Sequence, residues 1–526
     1  MYLSESRELK RNDVSSPRVV IIGAGTVGLY VASLLASRRR EVIVIEAGDS
    51  QLGSFDPNSY RSVGRSHAGI RLGRGRNLGG TSSLWGGQLV EFLPVDFEGR
   101  DWLKNSKWPV QYDEIYPYYK PTYLKLGIPR ELLNDDHVLM ELGIGRPDLG
   151  AELEVFLTRW MRTPNVAELF AEQIGSDPRL QILSRHTAIG FRGNGSRVDA
   201  VQVVSSKGKQ SWIDGDTFIL AAGTVENARL LLAAAYDPNW LVPWRANTNI
   251  GLYFQDHLGG RIGAIHPASK SAFLKTFANI IYRGNKFQPK IRLRNHVLTQ
   301  NRTHNIHGII SFESELSEHL VFLKQFARAA LYSRKLTGMG DLLRKSAGGT
   351  RYLIPLMWKY VVDHRVFIPS SSRIFLGVQA EQSPSVHSRI SVDPSVRDSQ
   401  GLPCVIFDWR LGGDELQSIH DFALRARGAL RDAGWGELEI DEDLLSLDTR
   451  FLDQLGDTYH QAGGTIMAAS EQDGVVDRDA RVFGTDNLYI GGASIFPTSS
   501  GANVTFTALS FATRLADHIT GLSSIE

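Results

Sequence analysis

Apolar positions near the start of the chain fall into a regular alternation of elements. Val19 to Ile22 is an unbroken β-branched run, the pattern of a strand buried on both faces in a parallel sheet. Gly23, Gly25 and Gly28 follow directly, then an apolar helical stretch from Thr26 to about Ser37, then a second strand-like run from Glu41 to Ile45. Further on, Phe218 to Leu232 repeats the theme of strand, small-residue turn and helix, and Arg179 to Val204 alternates as paired strands. Between about Gly260 and Asp408 the segments IIYRGNKFQPKIRLR, HNIHGIISFESE, RIFLGVQAEQ and SRISVDP alternate with period two, as in a mostly antiparallel sheet. The predicted class is therefore α/β plus α+β: a parallel sheet for a dinucleotide, interleaved with an antiparallel sheet that walls a substrate cavity.

Two segments break the alternation. Arg71 to Gly87, RLGRGRNLGGTSSLWGG, holds too many glycines and small hydroxyls for a long helix or strand. It is expected to be a loop that brings backbone amides to a phosphate or a flat ring, with Trp85 over an apolar face. His319 to Arg365 reads as helical, with nine Lys or Arg against two Asp. A lid, a partner surface, an anionic membrane surface and a solvated helical face all fit it.

The spacing of Gly23, Gly25 and Gly28 serves a tight turn, close backbone approach to a pyrophosphate and packing of helix on sheet. Glu46 ends the second strand, where a carboxylate accepts from ribose hydroxyls and disfavours the 2′-phosphate of NADP.

Composition narrows the options. With 526 residues and 42% hydrophobic content the chain buries a large core, and 58 basic against 57 acidic residues leave a net charge of +1. No global field attracts nucleic acid. A single cysteine, Cys404, excludes an internal disulfide and any cysteine metal site, and no metal is expected. The start, MYLSESRELKRNDVSS, is polar, and apolar runs fall short of the roughly 20 residues that span a bilayer. The expected compartment is cytoplasmic.

The last sixty-odd residues, with TYHQAGGTIM, then VVDRDARVFGTDNLYIGGASIFPTSSGAN, then an amphipathic helix, bring His460 and Asn503 into view. Neutral imidazole accepts a hydroxyl proton near pH 7, and a side-chain amide holds the same oxygen without carrying charge. Asn503 also opens the helix, whose N-terminus favours negative charge. His257, His304 and His307 read instead as satisfied structural histidines.

Taken together, GAGTVG with Glu46, RNLGGTSSLWGG, ILAAGTVENARLLL and the C-terminal block resemble the glucose–methanol–choline (GMC) oxidoreductases, in their bacterial alcohol- and sugar-oxidising branch. The resemblance implies FAD, with its diphosphate on Gly23, Gly25 and Gly28 and its adenosine ribose on Glu46. It implies an isoalloxazine ring against Gly79, Gly80, Thr81, Ser82, Trp85 and Gly86, and against Gly492 and Ala493. Adenine would meet backbone near Ala188, Ala222 and Gly223 would end a strand beside the dinucleotide, and Asn503, Val504 and Thr505 would face the flavin. The catalytic positions fall on His460 and Asn503. The loop that carries a tethering histidine in covalently flavinylated relatives has none here, which implies noncovalent FAD. Gln461 and Ile466 stand where many bacterial relatives have a second histidine and an arginine.

By this reading, residues 1–104, 166–259 and 450–526 make a discontinuous FAD-binding domain. Residues 105–165 and 260–449 make the substrate domain, with a helical segment at 316–366. The expected activity is oxidation of a hydroxyl of a sugar, aminosugar, glycoside or other alcohol by hydride transfer to flavin N5. Electrons pass on to oxygen, a quinone or another acceptor, and a homo-oligomer is compatible with the sequence. The rival classes are a flavin-containing lyase on the same fold and a nonenzymatic nucleotide-dependent binding module.

Overall fold

The computed structural model describes residues 17–237, 240–314, 364–366 and 368–522. The basic segment His319 to Arg365 falls outside the described residues except for 364 and 365.

The β-branched runs build a five-stranded, wholly parallel sheet in the order Leu488–Ile490, Thr217–Leu220, Arg18–Ile22, Glu41–Ile45, Leu180–Leu183. Every residue of Glu41–Ile45 is buried, as a strand covered on both faces requires. The chain adds strands first on one side of Arg18–Ile22 and later on the other, so the sheet's switch point lies at the end of the first strand, beside Gly23. The helix Thr26–Ser37 leaves from that point. It packs against the C-terminal helix Val504–Thr520, with Tyr30 Oη 2.9 Å from Thr513 Oγ1. A third helix, Tyr112–Lys125, joins them through Tyr119 and Thr507 (3.2 Å) and through Thr122 and Thr513 (3.1 Å).

The second layer is a large sheet, antiparallel throughout, in the order Gly436–Ile440, Leu258–Pro267, Arg373–Ala380, Ile306–Glu313, Asn285–Leu293, Leu153–Trp160, Gln88–Leu89. Helix Glu415–Asp432 covers one face with Leu416, Ile419, Phe422, Ala423, Ala426 and Leu430. The opposite face turns to the C-terminal block, where Gln379 donates to the Gly501 carbonyl at 2.7 Å. Gln88–Leu89 and Gly456–Asp457 belong to this sheet although they lie in segments expected on the dinucleotide side.

SRISVDP departs from the expectation of one continuous antiparallel sheet. Arg389–Arg397 pairs instead with Pro403–Asp408, which pairs in parallel with Tyr60–Ser62 in a separate three-stranded sheet. Period-two alternation marks a strand but not its neighbours, and the third strand of this sheet comes from more than 300 residues upstream of the hairpin. The expected loop at Arg71 to Gly87 contains one turn of 3-10 helix, Gly80–Ser83, entered through Gly79 in the left-handed region at φ 89°. No helix among the described residues is long and apolar enough to cross a membrane.

Candidate active site

His460 and Asn503, 43 residues apart in sequence, meet where the C-terminal block crosses the large sheet: His460 Nε2 lies 2.9 Å from Asn503 Nδ2. Three elements hold His460. Tyr459, in the left-handed region at φ 65°, turns the chain into it, and Gly463 at φ 74° turns the chain away. A Cβ at Gly463 would stand 1.9 Å from the Tyr253 carbonyl, so only glycine fits. Between these turns the His460 amide donates to Asp256 Oδ1 at 2.9 Å.

Asp256 is fully buried and anchors the whole corner. The same Oδ1 accepts the amides of His257 (2.8 Å) and Thr458 (3.2 Å), while Oδ2 faces His67 Nε2 at 3.1 Å. Burial pushes the Asp256 carboxyl up, but His67 and the neighbouring histidines more than offset it, so the group lies below the usual carboxylate range.

The hydrogen bonds also fix the His460 tautomer. The Ser499 carbonyl, 3.0 Å from His257 Nε2, can only accept, so His257 carries its proton on Nε2. Burial pushes the His257 pKa down, which keeps the ring neutral and Nδ1 bare. His460 Nδ1, at 3.1 Å from His257 Nδ1 and 2.8 Å from Thr458 Oγ1, is then the donor. The remaining lone pair of His460 is on Nε2, turned to Asn503. Burial first, and His257 second, hold the His460 pKa down at about 3 against the opposing pull of Asp256, so the imidazole is a neutral base. Gln379 Nε2, 3.4 Å from Asn503 Oδ1, orients that amide with its NH2 toward His460. The arrangement is an acceptor nitrogen and a donor nitrogen converging on one point.

Beside this corner runs a long cleft at the switch point, lined by Gly23, Gly25, Glu46, Gly80, Thr81, Ala188, Ala222, Gly223, Gly492, Ala493, Val504 and Thr505. Its glycines divide by role. At Gly23 (φ 105°) a Cβ would stand 2.6 Å from the Ala221 carbonyl, and at Gly28 it would stand 1.9 Å from the Gly23 carbonyl, so these two serve the turn and the helix packing. Among the described residues a Cβ at Gly25 would meet nothing closer than 4.0 Å, and one at Gly223 or Gly492 nothing within 4 Å, so their bare backbone leaves room along the cleft. Glu46 is buried, accepts from the Ala24 (2.9 Å) and Gly48 (2.7 Å) amides, and has its pKa raised by that burial. An extended dinucleotide fits this donor set: a helix N-terminus for the diphosphate and a carboxylate for the ribose.

Other expected residues stand behind the cleft rather than along it. Ser82 donates to the Gly79 carbonyl and accepts from the Val166 amide. The Trp85 indole donates to the Pro164 carbonyl at 2.9 Å, and Gly86 makes room for Trp160. Sequence reading missed Arg74, which lines the cleft, pairs with Glu226 and keeps Nη1 buried without a partner among the described residues. It missed Asp256 and His67, and it read His257 as structural. QDHLGG gives no local signal, because its aspartate and histidine acquire their partners from residues about 190 and 200 positions away.

Comparison with known proteins agrees with this geometry. Residues 18–244 match the FAD dependent oxidoreductase family and residues 384–512 the GMC oxidoreductase family. The chain is 21% identical to the fructose dehydrogenase large subunit of Gluconobacter japonicus over 97% of its length and 98% of that protein's. It is 22% identical to pyridoxine 4-oxidase of Microbacterium luteolum over 91% of its length and 95% of that protein's. The crystal structure of pyridoxine 4-oxidase from Mesorbium loti superposes over 97% of this chain and all of that one, with a TM-score of 0.59 at 18% identity. Residues 18–244 thus carry an FAD-dependent oxidoreductase domain and residues 384–512 a GMC oxidoreductase C-terminal domain, on a fold shared with that structure, and the chain is an FAD-dependent oxidoreductase.

Proposed function

We propose that this enzyme oxidises a hydroxyl group of a polar alcohol or sugar to a carbonyl, with His460 as the base and Asn503 as the second ligand of the reacting oxygen. The observation that carries the reading is the fixed tautomer of His460, whose bare Nε2 points at the Asn503 amide. His460 takes the hydroxyl proton as the alcohol is oxidised, and Asn503 donates to the oxygen that it leaves. Asp256 holds the His460 backbone, and His257 and Thr458 hold the proton on Nδ1. Bound FAD supplies the hydride acceptor at N5.

Gly23, Gly25 and the first turn of Thr26–Ser37 would hold the diphosphate, Glu46 the ribose, and Gly492, Ala493, Val504 and Thr505 the flavin end. FAD is noncovalent in this proposal, because Gly79 to Gly87 contains no histidine. The discontinuous domains, 1–104, 166–259 and 450–526 against 105–165 and 260–449, remain the proposed division of labour. The names of the relatives, which include a fructose dehydrogenase, a pyridoxine 4-oxidase and a C-glycoside 3-oxidase, support the hydroxyl-bearing substrate class.

An anaerobic screen of sugars, aminosugars and aliphatic alcohols for loss of flavin absorbance tests the reading. Bleaching by at least one alcohol is expected. Cleavage of a cyanohydrin with the flavin left oxidised by every alcohol would instead assign a lyase.

A further inference from the structure

The face of the large sheet turned to Asn503 carries two buried bases with no hydrogen-bond partner among the described residues: Lys290 Nζ, and both ring nitrogens of His307. Both side chains are buried, at 1% and 0% exposure. Register places them on the catalytic side. His307 stands directly opposite Gln379, whose amide reaches Asn503, and the next residue, Gly308, abuts Phe422 of the helix on the far face. Arg292 stands opposite His307, and Lys290, two residues along, shares its face. The Phe156 ring, which pairs across from Lys290, packs edge-on to His307 at 4.9 Å.

The neighbouring polar groups are already committed. Arg292 donates to Glu154 at 2.7 Å and Gln379 to Gly501 at 2.7 Å. Among the described residues nothing acidic offsets Lys290: burial alone pushes it down to about 7, and its charge in turn lowers His307, His257 and His460. Leaving an amine and an imidazole buried and unpaired is costly, and folded proteins rarely do so without a water, an ion or a ligand to meet them.

Resting on the oxidation proposed above, we infer that Lys290 and His307 form a subsite for a carboxylate of the substrate, which presents its hydroxyl to His460 and Asn503. The substrate class is then a hydroxylated acid, such as a sugar acid, rather than a neutral sugar. A carboxylate brings two acceptor oxygens and the negative charge that the buried ammonium lacks; a hydroxyl brings no charge.

The test uses FAD-loaded protein and probes that cannot be oxidised: propionate and its neutral isostere propionamide, titrated against the flavin absorbance difference spectrum. Saturable binding of propionate, with propionamide at least tenfold weaker, is expected in the unaltered enzyme, and this comparison needs no variant. Lys290→Met should raise the propionate Kd at least tenfold, while Lys290→Arg should retain most of the binding. Equal binding of the two probes, no saturable change, or an unaltered Kd in a FAD-loaded Lys290→Met protein would overturn the subsite. Carboxylate binding without bleaching by any alcohol, hydroxy acids and sugar acids included, would leave the subsite standing and remove the oxidation reading. Bleaching by neutral alcohols without carboxylate binding would do the reverse.

Discussion

Asp256→Asn is the most informative single perturbation of the corner that holds His460. The amide keeps an oxygen for the three main-chain N–H groups that now converge on Oδ1, at 2.8, 2.9 and 3.2 Å. Those bonds lose their charge assistance, which drops each from about 1.5–3 to about 0.5–1.5 kcal/mol. On the other side, the new NH2 faces His67 Nε2, which donates to Oδ2 when His67 Nδ1 accepts from the Ile70 amide at 3.1 Å. Donor then meets donor, and shifting the His67 proton only moves the conflict to Ile70, at about 1–3 kcal/mol for one unsatisfied buried group. Relief from burying a full charge offsets part of this, so the expected net loss is about 2–4 kcal/mol. Because His460 and His257 are both tethered to this carboxylate, the base also shifts. Displacement on the order of 1 Å from the reacting oxygen costs about 10²-fold in rate. Urea unfolding of the FAD-loaded protein and anaerobic stopped-flow reduction measure the two effects. Stability within about 0.5 kcal/mol of the unaltered enzyme, together with an unchanged reduction rate, would refute the assignment of Asp256 as the anchor.

Acid precipitation should release all the flavin as free FAD; colour left in the pellet would show a covalent link. Glu46→Ala removes a buried carboxylate from the proposed ribose site, and losing one charge-assisted bond of about 1.5–3 kcal/mol should raise the FAD dissociation constant by about 10- to 150-fold, measured by equilibrium fluorescence. His460, held at about 3 against an ordinary 6.5, stays neutral at working pH. Flavin reduction by a neutral alcohol should therefore show no fall through pH 6.5, and an inflection there would contradict the environment described for this ring. The same shift makes the unfolded chain bind a proton that the folded one refuses, so the His460 contribution to stability is whole above pH 6.5 and is lost as pH falls toward 3, which acid unfolding curves would register.

Much of this architecture was legible in the sequence for physical reasons. A strand buried on both faces must be continuously apolar, and a tight turn against a carbonyl must be glycine, so Val19 to Ile22 with Gly23 and Gly28 announced the parallel sheet and its switch point. The His460–Asn503 pair followed from the resemblance of the C-terminal block. What escaped were roles created by distant partners. His257 gains its meaning from Ser499 and His460, His67 from Asp256, and Lys290 and His307 from a sheet register that no local pattern encodes. The course of Arg389–Arg397 escaped likewise, because alternation shows that a segment is a strand and leaves its partner unspecified.

The central claim is that His460 removes the hydroxyl proton, and its most direct test is the anaerobic reduction rate of a His460→Ala variant that retains FAD. The base assignment predicts a fall of about 10² or more with a nearly unaltered oxidised flavin spectrum. Reduction at close to the unaltered rate, with FAD in place, would contradict it.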